Sequence, residues 1–487
     1  MESLSETLWD VVIEGTGLRQ SLLALALSRS DKKILHVDQH DYYGSAEAAF
    51  GLQEADEWVG NVAADSLTLP FRNASLWKAG VYGDERLSFS RAYALSLSPQ
   101  IVYSTSQLLA QLVSSKVYKQ LEFQAVGTWW IYDSSAIDAS PSLRRIPNGR
   151  EDIFEDKSID LRAKRSLMKF LKFVVDYQSS PETWEPHATS SLPDFLSTQF
   201  KLPPHLQTVI IALALSLETP DNTTVSYSLP RIARHLTSIG VLGPGFGAVL
   251  PKWGGGAEIA QVACRAGAVG GGVYVLGTGV KDASTDADGS SDVTLSNGEV
   301  VKTKLLLRDV SSGVPSDAVI AVSRIIAVVS TSLLPLFEST IEGAPLSAVS
   351  VVVFPPNTLS TSDTANTHPI YIMAHSNETG ECPGGQSVLY ATTLYSSNRK
   401  ALLKIAIDSL LLSTQNAADA VLYSLHYEQT APSFGIANPL DLAFDDRMLE
   451  DVKCDWKKVV GEVDAKFMRF EDWAGMNNEQ VDGDCDY

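Results

Sequence analysis

No stretch constrains the fold of this 487-residue chain more than LWDVVIEGTGLRQSLLALALSRSDKKILHVDQHDYYGS, near its N-terminus. An apolar run from Leu8 to Ile13 meets a turn carrying Gly15 and Gly17. A helical spacing of apolar residues follows (Leu18, Leu22, Leu25, Ala26), and a second apolar run, Ile34 to Val37, ends in Asp38. Strand, glycine turn, helix and strand, with an acid about twenty positions beyond the glycines, is the layout of a dinucleotide-binding βαβ opening. The two glycines permit a tight turn and let backbone N–H groups face a pyrophosphate. The third glycine of G-x-G-x-x-G is replaced by Gln20, and Leu18, Arg19 and Gln20 are expected to crowd the helix N-terminus. Spacing alone therefore fits both a cofactor site and a βαβ unit that only builds the fold.

The length corresponds to roughly two to four domains or one large composite. With 45% hydrophobic and 20% charged residues, the chain can bury a sizeable core. Its net charge of −20 argues against nucleic acid, whose phosphates it would repel, and against membrane docking through overall charge. Cys264, Cys382, Cys454 and Cys485 lie far apart without a C-x-x-C pair, the usage of free thiols in a reducing compartment, and they offer no zinc site. The segment MESLSETLWD is acidic and lacks the basic and apolar regions of a signal peptide. The most apolar run, Val209 to Leu217, is too short to span a bilayer and reads as a core helix. Cys485 is third from the end, so no prenylation box is read, and a cytoplasmic location is expected.

Residues 45–100 read as irregular structure with short helices, followed by a helix from Tyr103 to Val113 and a strand over 121–132. In 151–177, Leu167, Phe170, Leu171 and Val174 form the apolar stripe of an amphipathic helix, while Arg162, Lys164, Arg165, Lys169 and Lys172 occupy the other face. That basic face is either merely solvated or a docking surface. Helices at 206–217 and 230–240 complete a block with little strand signal, so 133–242 is expected to be a helical domain inserted into an α/β domain. The α/β pattern resumes at 243. There a glycine turn, Gly254 to Gly256, opens a helix over 257–266, and a strand follows at 272–276. Glu258 and Arg265, seven apart, project from one face of that helix. An acid near a helix start and a base near its end also complement the dipole, so both accounts stand at this point. Strand-like segments alternate with turns from VTLSNGEVV to SVLYATTLY, resembling the substrate-side sheet of flavoproteins, and the last helix signal is at 401–412. The acidic stretch 471–487 is expected to be disordered.

The chain has no H-E-x-x-H, G-x-S-x-G or phosphate-loop motif, and its late Gly483-Asp484 has no following helix to bind a flavin. No catalytic residue, metal ligand or cofactor is expected. The blocks GTGLRQS, LHVDQHDYYGS, LSPQIVYSTSQLLAQLVSSKVYKQLEFQ, KRSLMKFLKFVV and GGGAEIAQVACRAGAVGGGVYVL, in this order, resemble the Rab escort protein and Rab GDP-dissociation inhibitor superfamily. EFQAVGTWWIY, RIARHLTSIGVLGPGF and VVVFPPNTL look more like the fungal escort branch than the inhibitors.

The resemblance implies an α/β, flavoprotein-like large domain of Rossmann type (FAD/NAD(P)-binding ancestry), in two parts, 1–132 and 243–470, around the helical insert. It implies a Rab-binding platform of Tyr43, Glu258 and Arg265, with Tyr274 and Val275 as a further pair. Gly15, Gly17 and Gly44 would serve the fold, while Ser45 departs from the commoner YYGG and Val275 from a methionine. The implied partners are Rab-family GTPases in the GDP form, the α/β heterodimer of Rab geranylgeranyltransferase, and a geranylgeranyl lipid, with transient membrane contact. Leu167, Phe170, Leu171, Val174, Leu206, Ile210 and Leu213 would part around the lipid, and the basic face at 162–172 and the helix 230–240 are candidate prenyltransferase surfaces. Two rival functions remain: a Rab GDP-dissociation inhibitor and an FAD-dependent oxidoreductase.

Overall fold

A computed structural model describes residues 4–470 except 65–69, 81–85, 135–141, 148–152, 154–158, 286–288, 309–318, 340–342, 362–363, 396–398, 417, 433–437, 439 and 462–466. The opening forms β1 (Val11–Glu14), α1 (Leu18–Leu27) and β2 (Ile34–Val37), the two strands parallel with Val12 opposite Leu35. Every residue of α1 but Arg19 is buried, as befits a helix with apolar residues on all sides.

Residues 45–100 are more regular than expected, with α2 (Leu52–Ala64) and β3 (Phe71–Lys78). β3 is an edge strand, and its exposed Arg72, Asn73 and Trp77 conceal it locally. Its conformation is set by pairing with a strand more than three hundred residues away in sequence (Leu76 opposite Leu425). Next come α3 (Gln107–Ser114), capped where Ser106 Oγ accepts the Leu108 N–H, and β4 (Phe123–Asp133). Ser142–Arg145, inside the stretch expected to be helical, pairs with β4 and extends the sheet.

The helices that follow are α4 (Leu161–Val175), α5 (Leu192–Phe200), α6 (Pro204–Leu213) and α7 (Val225–Ser238). Of the helix expected over 151–177, residues 151–152 and 154–158 lie outside the described residues; α4 starts where Asp160 accepts the N–H groups of Arg162 and Ala163. α7 begins before the expected 230 because Thr224 caps it at the Tyr227 N–H. The helices share one core with the sheet: Phe170, Phe195, Leu206 and Leu229 pack in the same cluster as Val126, Val351, Tyr371 and Tyr427.

The chain then returns to the α/β layer through β5 (Ala248–Pro251), α8 (Gly256–Val269), β6 (Val273–Val275) and β7 (Leu306–Leu307). A four-stranded parallel sheet results, in the order β6-β2-β1-β7. The final elements are β8 (Val319–Val329), β9 (Val349–Phe354), β10 (Ile370–Ser376), β11 (Ser387–Leu394), α9 (Arg399–Ser413), β12 (Val421–Pro432) and α10 (Arg447–Val460). The ten-stranded sheet runs β3-β12-β8-β11-β10-β9-β4-β5 and ends on the short strand Val102–Tyr103. β12 and α10 were not expected. β12 mixes apolar residues with His426, Glu428 and Gln429, which are buried but paired (Glu428 with Arg72), so the strand lacks a readable alternation. α10 lays Leu449, Val452 and Trp456 against Leu18 and Leu22 of α1. Among the described residues, no helix is long and apolar enough to cross a membrane, and stretch 471–487 lies outside them.

Candidate functional site

At the end of β1, where a dinucleotide's phosphates would rest, the chain places its own side chains. Gly15 takes a left-handed φ of 88° to make the turn, and Gly17 stands at the N-cap of α1 without a side chain to cap it. The cap comes from elsewhere: Glu47 Oε2 accepts the Leu18 N–H at 3.0 Å. A Cβ on Gly17 would sit 3.3 Å from that oxygen and 3.2 Å from Gln20 Oε1, so the glycine admits a carboxylate close to the backbone. Asp38, at the position that would hold a ribose, is engaged within the protein. It accepts hydrogen bonds from Thr16 N and Oγ1 (both 2.6 Å), Ser45 Oγ (3.0 Å) and His40 N (2.9 Å). Gly44, with φ of 99°, lets the loop fold back so that its N–H reaches Thr16 Oγ1 at 3.1 Å.

These residues do not fit an adenine dinucleotide. A pyrophosphate carries the same sign as Glu47 and would need the same N–H, and a ribose would have to break the Thr16–Asp38–Ser45 network. The agent of closure differs from the expected one. Leu18 is buried in the core and Arg19 turns away to pair with Asp455 of α10, so of the three bulky residues only Gln20 lies at the turn.

Glu47 also touches the start of α8, where a Cβ on Gly256 would lie 3.4 Å from its Cβ and Cγ. The Glu47 carboxylate thus caps the electropositive N-terminus of α1 while its methylenes pack on the start of α8. On α8, Glu258, Gln261, Arg265 and Val269 line the outer face. Glu258 is half-buried, and desolvation pushes its carboxyl above the ordinary value. Neither Glu258 nor Arg265 has a side-chain hydrogen bond or ion pair among the described residues. No basic residue lies in the last turn of α8, so the dipole does not account for Arg265.

Tyr43 stands next to this helix, with its ring 6.5 Å from that of Tyr274. Burial raises both phenols, and the Cys264 thiol beside them adds to the effect; that thiol is itself pushed up to about 11 by burial. The Tyr274 ring lies 4.9 Å from the imidazole of His36, which burial pushes down to about 4 and so holds neutral. The His36 Nε2–H therefore donates to the Gly15 carbonyl at 2.5 Å. A continuous path runs from the glycine turn through His36 and Tyr274 to Tyr43. Val275 is not on it: β6 alternates faces, and Val275 packs on the opposite side of the sheet with Val37 and Leu35. Sequence reading missed Thr16, His36 and Glu47; it singled out Asp38 as a ribose-type acid and Ser45 only as a departure, without joining them in a network.

Leu167, Phe170, Val174, Leu206, Ile210 and Leu213 are all buried, and Leu171 packs against them half-buried. They pack into one core with Phe170 meeting Phe200 edge-to-face at 5.2 Å. A shallow cleft with room for little more than a water touches this group at Leu213, but its other walls include Tyr103, Tyr227, Arg231, Arg234 and Asp441. The Arg231–Asp441 ion pair, at 2.8 Å, makes it a polar seam between α7 and the chain before α10.

The family model for GDP dissociation inhibitor matches residues 4–463. The chain is 34% identical over 391 residues to "Rab proteins geranylgeranyltransferase component A" of Saccharomyces cerevisiae, covering 79% of this chain and 61% of the relative. It is 30% identical over 399 residues to the protein of the same name from Candida albicans, covering 79% and 59%. It thus spans about three-fifths of the length of these relatives. Among solved structures, a Rab GDI from Plasmodium falciparum superposes with a TM-score of 0.67 at 18% identity, over 93% of this chain and 98% of that one. An oxidoreductase from Methanosarcina mazei superposes with 0.53 at 12% identity, over 89% and 93%. At these identities the likeness is one of fold: a Rossmann-like α/β scaffold common to Rab GDI and oxidoreductases.

Proposed function

We propose a function on one premise: the chain belongs to the GDP dissociation inhibitor family. Within it, we read the chain as a Rab escort protein, a non-catalytic accessory component that binds GDP-bound Rab GTPases and presents them to Rab geranylgeranyltransferase. It then shields the geranylgeranyl groups and delivers the product to membrane from the cytoplasm. The observation that favours escort over inhibitor is the pair of component A relatives at 34% and 30% identity, against 24% for a GDP dissociation inhibitor of Schizosaccharomyces pombe.

In this reading Glu258 and Arg265 face outward unpaired because their partners are on the Rab. Tyr43 and Tyr274 complete the contact, and Val275 contributes by completing strand β6. A carboxylate, a guanidinium and a phenol on one face supply directional polar contacts to mobile backbone segments. Helices α4 to α7, taken as the working part of the insert 133–242, would receive the lipid by parting along the Leu167–Phe170–Ile210 core. A twenty-carbon chain left in water loses about 0.8 kcal/mol for each unburied methylene, which is why such a product needs a carrier.

The test is geranylgeranyl transfer to a Rab by the purified transferase heterodimer, with and without this chain. Transfer that requires the chain supports the escort reading. No support for transfer, together with extraction of already prenylated Rab from membranes, replaces it with the inhibitor reading.

A further inference from the structure

Helix α4 has two unlike faces. Its inner face, Ala163, Leu167, Phe170 and Val174, is buried. Outward point Arg162, Arg165, Lys169 and Lys172, all exposed and spaced at intervals of three, four and three, so they form one stripe along the helix. The helix contains no acid. Asp160 and Asp176 stand at its ends, the first accepting the N–H groups of Arg162 and Ala163 and the second the Ser179 hydroxyl. In a chain with 58 acids and 38 lysines and arginines, none of these four cations is in an ion pair among the described residues. Leu161, 75% exposed, and Val175, 50% exposed, bracket the stripe and fall on it by helical spacing.

We propose that this face of α4 docks the protein on bilayers containing anionic lipids. Cations near an anionic surface gain about fivefold in affinity each, and ionic screening over about 8 Å keeps the acids elsewhere on the chain from cancelling a local stripe. The apolar residues at both ends can enter the headgroup boundary while the cations between them face phosphates, as in helices that lie in the membrane interface. A protein partner is the weaker match. Interfaces between proteins are depleted of lysine at their centres and anchored by aromatic residues, and the stripe has two lysines and no aromatic ring. Docking through α4 turns the helix that carries Leu167 and Phe170 toward the lipid. That consequence for cargo release rests on the proposed function, whereas the docking itself does not.

The experiment uses the full chain and sedimentation with phosphatidylcholine vesicles with or without added phosphatidylserine. The wild type is expected to bind only the phosphatidylserine vesicles, with affinity falling as salt rises. The triple variant Arg165→Gln, Lys169→Gln, Lys172→Gln is expected to bind them at least about tenfold more weakly, with an unchanged thermal melt and unchanged capture of the transferase heterodimer, which separates a lipid contact from a protein contact. Leu161→Ser is expected to weaken binding at high salt, where the apolar contribution dominates. The proposal is overturned if the wild type ignores phosphatidylserine, or if the triple variant binds as the wild type does. It is equally overturned if the triple variant keeps vesicle binding but loses capture of the transferase heterodimer, which would make the stripe a protein contact. Failure of the wild type to support prenylation bears on the proposed function and leaves the vesicle result standing.

Discussion

Glu47 caps the N-terminus of α1 with its carboxylate, packs its methylenes on the start of α8, and so ties the loop that carries Tyr43 to both helices. Replacing it with alanine leaves the Leu18 N–H without its cap. A loss of about 1–2 kcal/mol is expected, read as a lower urea midpoint, together with weaker Rab binding because the Tyr43 loop loosens. Glu47→Gln keeps an acceptor and should lose less of both. Glu258 behaves in the opposite way. It is half-buried without a partner, a position that costs stability, so Glu258→Ala should leave the urea midpoint unchanged or raise it. Rab affinity should nevertheless fall about tenfold or more, as for a contact at the centre of an interface. A titration that finds affinity unchanged removes Glu258 from the platform.

At the scale of elements, α1 and α8 cross so closely that glycine is required for space rather than for backbone freedom. A Cβ on Gly270 would strike the Ser28 carbonyl at the end of α1, and one on Gly267 would clash with Tyr274 Oη and touch Ala24 of α1. Gly270 has an ordinary φ of −74°, so the demand is purely one of approach. Gly270→Ala should therefore cost about 1–3 kcal/mol as an overpacked contact. Gly271, with φ of 95° and open space around it, should lose only about 1 kcal/mol on the same change; paired urea unfolding curves measure the difference. Element legibility follows the same division between local and distant causes. α1, α4 and α8 were readable because each carries its own periodicity and its own start signal. β3 and β12 were not, because one is a polar edge strand that exists through its pairing with β12, and the other hides paired polar residues and is held between β3 and β8.

Across the whole molecule, the helices α4 to α7 and the ten-stranded sheet share a core, so on the proposed function the lipid itself would have to drive the helices apart. The same burial sets a pH dependence. His36, His235 and His426 are each pushed down to about 4 by desolvation. Between about 6.5 and 4 the unfolded chain binds protons there that the native chain refuses, so stability falls as pH drops through that range. Each histidine contributes a slope of about 1.4 kcal/mol per pH unit where its two states differ fully. Glu258 and Asp441, with carboxyls raised by burial, act in the opposite sense. Urea midpoints from pH 7 downward are expected to decline, and His235→Gln should flatten the decline.

Taken alone, the sequence determined the βαβ opening, the second glycine turn, the amphipathic helix and the placing of Glu258 and Arg265 on one helix face, because periodicity and turn chemistry act within a few residues of themselves. Whether the cleft beyond the first glycine turn was open or filled was decided only by the tertiary structure. That outcome depends on Glu47 reaching Leu18 across 29 residues and on Asp455 drawing Arg19 away across 436, and no local pattern encodes where a folded chain brings two such groups together.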